Sequence, residues 1–488
     1  MAMNPLLERL PRLAVLVIGE AMLDCYLHGT SGRIAREAPV PIVAVERRTD
    51  VPGGAANAAV NAAALGARAS FLSVIGGDAE GAALRAALAE RGVDADHVLV
   101  DRERRTLAKH RVIAGSQMLV RYDAGTTSHV SRAFEARLIE RLEALFAGYD
   151  AIVISDYAYG ILTPRVIAAL GACQARSPRV IVADSKRLTA YRDVGITAAK
   201  PNYEEALRLL GPRAARGALE RASLMARYGT RLLGLTGARI AAVTLDTEGA
   251  LFFTRGRDPY RTYAQPVEHS RAAGAGDTFA SALALALAAG GDVAASAEMA
   301  SAAAAVVVGK DGTAACTLPE LRAALSGADK FAPDMPTLLA RLDAARRAGR
   351  RVVLTNGCFD ILHSGHITYL NAAKTLGEVL VVGLNTDEGV RRLKGPGRPI
   401  NSLEERAHVL AGLSSVDHIV AFDEDTAAEL ARAVRPHVFV KGGDYTLERL
   451  PEAAVVHALG GEVRILPYVR DRSTTSLIAR VRERVGVA

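Results

Sequence analysis

Along this chain, unbroken apolar runs of strand length end repeatedly in a Gly, Asp or Thr cluster. LAVLVIG at 13–19 turns polar at Glu20, and AIVISDYAYG at 151–160, RVIVADSK at 179–186 and IAAVTLDTEGA at 240–250 repeat the form. A run that is apolar at every residue suits a strand buried on both faces, which is the condition of a parallel sheet, and its polar end is where such a strand delivers a loop. Helix-patterned segments lie between the runs. The alternation predicts an α/β fold with a largely parallel sheet and helices on both faces. A length of 488 residues exceeds one ordinary core, at roughly 150 residues per domain. The pattern breaks in SGADKFAPDMP at 326–336, where Gly, two Pro and charges interrupt any period. The expected division is therefore a domain over 1–325, a linker over 326–345 and a second α/β domain over 346–488, in which RVVLTNGCFD, VLVVGLNTDE, DHIVAFDED and HVFVKGGDY resume the strand-to-loop form. No short-period repeat points to a solenoid or propeller.

Charge excludes more than it selects. The formal net charge is +7, from 60 basic and 53 acidic residues without long like-charged runs, so no nucleic-acid partner is expected. A mild positive balance suits small phosphorylated substrates equally well. The four cysteines, Cys25, Cys173, Cys316 and Cys358, form no CxxC pair, so neither a disulfide framework nor a zinc ribbon is expected, and a reducing cytoplasm fits. No membrane association is expected, since LAVLVIG is too short to span a bilayer.

The sharpest chemistry of the first domain lies in Ala272-Ala-Gly-Ala-Gly-Asp-Thr-Phe279, ahead of the apolar run SALALALAAGG. Small residues before an acid at a helix start let backbone N–H groups close on an anion, and the helix N-terminus adds favourable potential. Asp277 would then accept a proton from an attacking hydroxyl, while Gly274, Ala275 and Gly276 stabilise the phosphoryl group in transfer. Standing alone, this segment is equally a helix-capping turn. It stands with GEAMLD, PGGAANAAVNAAALG at 52–66, SDYAYG at 155–160 and PNYEEA at 201–206, and in that order the segments resemble the ribokinase-like sugar kinases over roughly 12–325. The resemblance implies that Asp24, Gly53, Gly54 and Asn57 hold sugar hydroxyls, with Lys109 also on the sugar side. It implies that Asn202 and Glu205 organise Mg-bound phosphates, with Lys186 on the ATP phosphates and Asp184 near the sugar phosphate or the nucleotide. Mg²⁺ would be carried by ATP, with no direct protein metal site. Where the family commonly writes D-x-T-G-A-G-D, this chain has Arg271 and Ala273 in place of the Asp and Thr, which leaves monovalent-cation activation open. Tyr159 stands where the nearest subfamily has Lys.

In the second domain, NGCFDILHSGH at 356–366 sets His363 and His366 around a Ser-Gly step. Zinc prefers histidines at i and i+4 on a helix, or closed His/Cys sets. Two core histidines would be an odd choice beside Gly357, Asp360 and Gly365. The remaining reading ends a strand at Asn356-Gly357 and starts a helix near His363, so that the helix amides and both imidazoles face a triphosphate. HxGH and the segment Arg472-Ser-Thr-Thr-Ser-Leu-Ile478 resemble the nucleotidyltransferase superfamily, in its cytidylyltransferase-like, Rossmann-like branch. The resemblance implies that His363 and His366 stabilise the pentavalent phosphorus and that Lys394 holds phosphate. Asn356, Gly357 and Phe359 would line the nucleotide pocket, Thr474 and Thr475 would bind phosphate, and Lys441 and Asp444 would lie near the nucleotide or second substrate.

Joined in this order, and with RIAREAPVPIVAVE at 33–46, the halves resemble the family of bifunctional heptose 7-phosphate kinase/heptose 1-phosphate adenylyltransferases. The implied partners are ATP, heptose phosphates and a separate phosphatase acting between the two steps, with a homodimer formed through the kinase domain. The motifs alone also admit another sugar or nucleotide, or a kinase half that serves as scaffold.

Overall fold

The computed structural model of the protein describes residues 3–212, 214, 220–264, 272–326, 330–443 and 450–466. One unit spans Asn4–Arg322 and a second takes in Ala323–Ala488. In the first, nine strands form one sheet in the order Tyr260–Thr262, Ala250–Thr254, Ile240–Thr244, Ala198–Ala199, Val180–Ser185, Ala151–Asp156, Ala14–Gly19, Arg68–Gly76 and Val98–Asp101. Every pairing is parallel except the two that join Tyr260–Thr262, Ala250–Thr254 and Ile240–Thr244. The apolar runs at 14–19 and 151–156 are buried along their whole length, as strands covered on both faces must be. On one face the alanine-rich helices Ala55–Ala64 and Ala275–Ala288 pack together and on the central strands.

A four-stranded sheet that the apolar runs do not announce stands beside this one, in the order Pro41–Gly54, Ala21–Ile34, Leu107–Ala114 and Gln117–Ala124. Its strands are half-buried. Ala21–Ile34 is buried at its first five residues and exposed at its last five, so the sheet is rooted at the kinase motif and its far end stands in solvent, exposing Val45, Met118, Val120 and Tyr122.

The second unit has six parallel strands in the order Phe331–Ala332, His418–Phe422, Val379–Asn385, Val352–Gly357, Val438–Gly442 and Glu462–Leu466. Part of the expected linker belongs to this unit. Strand Phe331–Ala332 pairs with His418–Phe422, and helix Met335–Arg347 buries Leu338, Leu342 and Ala345 against Val352, Leu354, Val379 and Val381. The division falls at 322/323, and helix Met335–Arg347 begins where Asp334 caps it through Thr337 N at 2.8 Å and Pro336 occupies its first turn. Among the described residues, no helix is long and apolar enough to cross a membrane.

The placement of helix Met335–Arg347 is testable. Leu342 is fully buried, so Leu342→Ala should destabilise the second unit by about 2–5 kcal/mol, whereas a linker leucine would cost almost nothing. Urea unfolding followed by circular dichroism reads the difference, and an unchanged midpoint would remove this helix from the core.

Candidate functional site

The kinase-like site is built where helix Ala275–Ala288 begins. Its N-cap, Gly274, has φ 89°, and a Cβ there would lie 2.2 Å from Asn57 Nδ2, so only glycine permits both the turn and the approach. One turn on, Asp277 is buried, and Asn57 Nδ2 donates to its Oδ2 at 2.9 Å while the Tyr157 hydroxyl reaches Oδ1 at 3.4 Å. Burial, with Asp184 adding to it, raises Asp277 to about 7, against the opposing pull of Asn57, Lys200 and Tyr157. A carboxylate so poised exchanges a proton near neutral pH, as a general base must.

Two cavities meet at Gly276. A polar one of about 200 Å³ is lined by Asp277, Tyr157, Asp184, Lys186, Lys200 and Glu205 among others. A larger one of about 380 Å³ presents mainly apolar surface from Ala250, Phe279, Ala304, Ala305 and Val308, together with Ala275 and Gly276. An apolar slot that narrows to backbone amides and then opens on charged side chains matches a nucleotide laid base-first, with its phosphates crossing 274–276 toward Asp277. In the polar cavity Lys186 pairs with Glu205, which also closes a reciprocal capping box with Asn202 at the start of helix Tyr203–Leu210. Asn202 and Glu205 therefore have a structural function beside the expected phosphate one. Lys200, nearly wholly buried, holds Asp184 at 3.0 Å, and a Cβ on Gly276 would lie 3.4 Å from its Nζ. Neither Lys200 nor Tyr157 stands out in the sequence, since nothing local marks a lysine before Pro-Asn or one tyrosine of SDYAYG as facing the cavity.

The expected sugar residues divide. Asp24 is buried and takes Arg111 Nη1 at 2.8 Å and Thr313 Oγ1 at 2.7 Å; a Cβ on Gly53 would strike its carboxylate at 2.7 Å. Lys109 lies across from Asp24 in the strand register, its Nζ 5.4 Å from the Tyr157 ring centroid. Gly54 is the N-cap of helix Ala55–Ala64. The Asn57 amide is engaged within the protein at both ends, by Asp277 and by Asn61 Nδ2 at 3.2 Å, so it also orients the Asp277 carboxylate. Arg271 lies outside the described residues.

In the second unit, strand Val352–Gly357 delivers the HSGH loop to helix Ser364–Lys374, for which His363 is the N-cap, its Nδ1 accepting from Gly365 N at 3.2 Å. The His363 and His366 rings stack at 3.9 Å, and the Phe359 ring lies 5.3 Å from His366. A Cβ on Gly357 would come within 3.0 Å of that phenyl ring. Burial, then His363 and Lys394, push His366 down to about 4, so the resting imidazole is neutral. Lys394 ends helix Asp387–Lys394 and is exposed. Lys441 Nζ bonds Asn356 Oδ1 at 2.8 Å, tying two expected residues together, and burial lowers its pKa.

The HSGH loop is tied to the segments around it. Asp360 pairs with Arg398 and accepts Ile400 N at 2.7 Å and Asn401 N at 3.1 Å. Arg406, fully buried, donates to Cys358 O and Asp387 Oδ1, each at 2.7 Å. Asp444, Thr474 and Thr475 lie outside the described residues, and no group of His, Cys, Asp and Glu suited to a metal ion is found among the described ones.

Comparison with known proteins matches this geometry. Residues 12–321 match the pfkB family carbohydrate kinases, and residues 354–480 match the cytidylyltransferase-like family. The first unit shares its fold with phosphofructokinase-2 from Escherichia coli solved with substrates and products, at 20% identity and a TM-score of 0.53, over 64% of this chain and 97% of that one. Three curated relatives are each named bifunctional protein HldE. That of Pseudomonas aeruginosa strain LESB58 is 41% identical over 98% of this chain and 99% of its own. The protein of Geobacter sulfurreducens is 40% identical over 96% of both chains. That of Caulobacter vibrioides is 42% identical over 98% of this chain and all of its own. Matched end to end at this identity, with a carbohydrate-kinase unit followed by a cytidylyltransferase-like unit, the chain belongs to the bifunctional HldE family.

Proposed function

We propose that the chain carries out two steps of ADP-heptose biosynthesis. In the first, Asp277 takes the proton from the anomeric hydroxyl of D-glycero-D-manno-heptose 7-phosphate as that oxygen attacks the γ-phosphorus of ATP, giving the 1,7-bisphosphate and ADP. The amides of 274–276 meet the transferred phosphoryl group, and Lys186 and Lys200 lie on the phosphate side of the cavity. Mg²⁺ arrives with ATP. A separate phosphatase then removes the 7-phosphate. In the second step an oxygen of heptose 1-phosphate attacks the α-phosphorus of a second ATP, pyrophosphate leaves, and His363 and His366 stabilise the charge that builds at phosphorus. The observation that carries this reading is Asp277, held by Asn57 beside the 274–276 amides, in a chain related over its whole length to bifunctional HldE proteins. A carboxylate tuned to about 7 also speaks against a kinase half kept only as scaffold. The exposed apolar side chains Val45, Met118, Val120 and Tyr122 of the four-stranded sheet support a homodimer formed through the kinase unit. Substrates of this kind place the protein in the cytoplasm.

Phosphorus-31 NMR of the chain with MgATP and heptose 7-phosphate, followed by a phosphatase, should show an anomeric phosphate and then a diphosphate ester. Asp277→Asn should lower sugar phosphorylation by about 10²- to 10⁴-fold and leave pyrophosphate release from ATP and heptose 1-phosphate intact; His366→Ala should do the reverse. Loss of both activities in either folded variant would refute separate sites.

The two sites should also differ in their pH response. Kinase kcat/KM should rise with pH through about 7, where Asp277 loses its proton, and a flat profile from pH 6 to 8 would remove Asp277 as the base. In the free protein, the His366 ring resonances should titrate near pH 4; a midpoint near 6.5 would show that the imidazole is charged at mildly acid pH.

A further inference from the structure

Glu20 closes the first strand, and its side chain is fully buried. Among the described residues its carboxylate has no salt bridge within 4 Å, the buried Arg104 acting on it only at longer range; three backbone N–H groups of one loop donate to it. Tyr157 N donates to Oε2 at 2.7 Å, and Tyr159 N and Ile161 N donate to Oε1 at 3.1 and 3.4 Å. The same loop is gripped from its carbonyl side. Arg104, itself buried, donates to Tyr159 O at 2.9 Å and to the carbonyls of Thr126 and Ser128. Within this grip Ala158 adopts φ 63°, a left-handed conformation that costs an alanine about 1–2 kcal/mol and persists only where the surroundings over-determine it.

A carboxylate without a direct ion pair is expensive to bury. Burial, and then Asp156, raise Glu20 to about 7, and the three N–H groups pull it back. A fold that needed only to fill this space would do better with an apolar side chain, so the loop conformation has to be worth the cost. What the loop delivers is Tyr157. Its hydroxyl reaches Asp277 Oδ1 at 3.4 Å, and its ring is flanked by Lys109 Nζ at 5.4 Å and Lys186 Nζ at 6.0 Å.

We infer that Glu20 is a positioning residue of the kinase step, which acts through the 157–161 loop to hold the Tyr157 hydroxyl against Asp277. This rests on the reading of Asp277 as the kinase base. Tyr157 donates to the carboxylate oxygen that Asn57 leaves uncovered, so the two donors together fix the plane of the carboxylate before the sugar arrives. Preorganisation of that kind appears in kcat, since it acts on the group that takes the proton rather than on binding of the nucleotide.

The experiment compares the full chain with Glu20→Gln, Glu20→Asp, Tyr157→Phe and the double variant Glu20→Gln/Tyr157→Phe, measuring heptose 7-phosphate phosphorylation and thermal unfolding of each. An inactive wild type would overturn the function reading and this inference with it. With an active wild type, Glu20→Gln should lower kcat at least tenfold with KM for ATP within twofold. Glu20→Asp, which keeps the charge, should recover part of that loss, and the double variant should be no slower than Tyr157→Phe alone. If Glu20→Gln slowed Tyr157→Phe by the same factor as it slowed wild type, or raised KM for ATP in step with the fall in kcat, the role would be structural and the inference would fail. Should Glu20→Gln not fold, Glu20→Asp decides in its place: its shorter reach should slow the wild type and leave Tyr157→Phe unaffected.

Discussion

The hydrogen bond from Asn57 to Asp277 joins residues 220 positions apart, and the geometry of the kinase unit follows from it. Both residues sit on alanine-rich helices packed side by side, and neither carboxylate nor amide would tolerate this burial without the other. Four residues along, Asn61 Oδ1 accepts the Thr278 hydroxyl at 2.7 Å and Cys316 N at 3.2 Å, so the polar seam continues. Such a seam needs backbones close together, which only small side chains permit. On these two helices Ala55, Ala56, Ala58, Ala59, Ala280, Ala282 and Ala284 are all buried. The buried Asp277 and the seam that joins two distant segments are one feature, and a change that loosened the seam would disturb the carboxylate.

The transferase loop achieves rigidity by other means. Its support is one buried guanidinium and one buried carboxylate, Arg406 and Asp360, each bonded to backbone groups of the segments that border the site. Charge removed to the rear of the loop leaves the two imidazoles at its front. With His366 stacked on His363 and held down to about 4, the resting His366 ring is neutral. A triphosphate entering the site would supply the negative field that raises the imidazole pKa, so that protonation follows binding.

Legibility from sequence tracked burial symmetry. Strands covered on both faces, such as Ala14–Gly19 and Ala151–Asp156, announce themselves as apolar runs, and the motif loops at their ends could be placed with them. The four-stranded sheet did not announce itself because its strands are buried only near their roots. The helix at 335–347 was hidden for an instructive reason: Asp334 and Pro336 read as chain breakers, yet a capping Asp followed by Pro in the first turn is equally the start of a helix. Site residues named by motif were found near the two centres wherever the structure describes them. Lys200, Tyr157 and Glu20 required the fold, since each acquires its role from a partner on another strand or loop. Asn57 was legible as a site residue, but its bond to Asp277 was not, because sequence shows an amide's presence and not what it bonds.

The two sites also differ in a way their nucleophiles require. A sugar hydroxyl must lose a proton to attack phosphorus, so the first site holds a carboxylate near neutrality at the head of a helix. A sugar phosphate is already an anion and needs no base; it needs its charge tolerated beside a second anion. Beside the HSGH loop, Asp360 and Asp387 are committed to Arg398 and Arg406, so neither is offered to a proton. One chain thus contains a site built to remove a proton and a site built to accept charge, in the order in which a hydroxyl becomes a phosphate and a phosphate becomes a diphosphate.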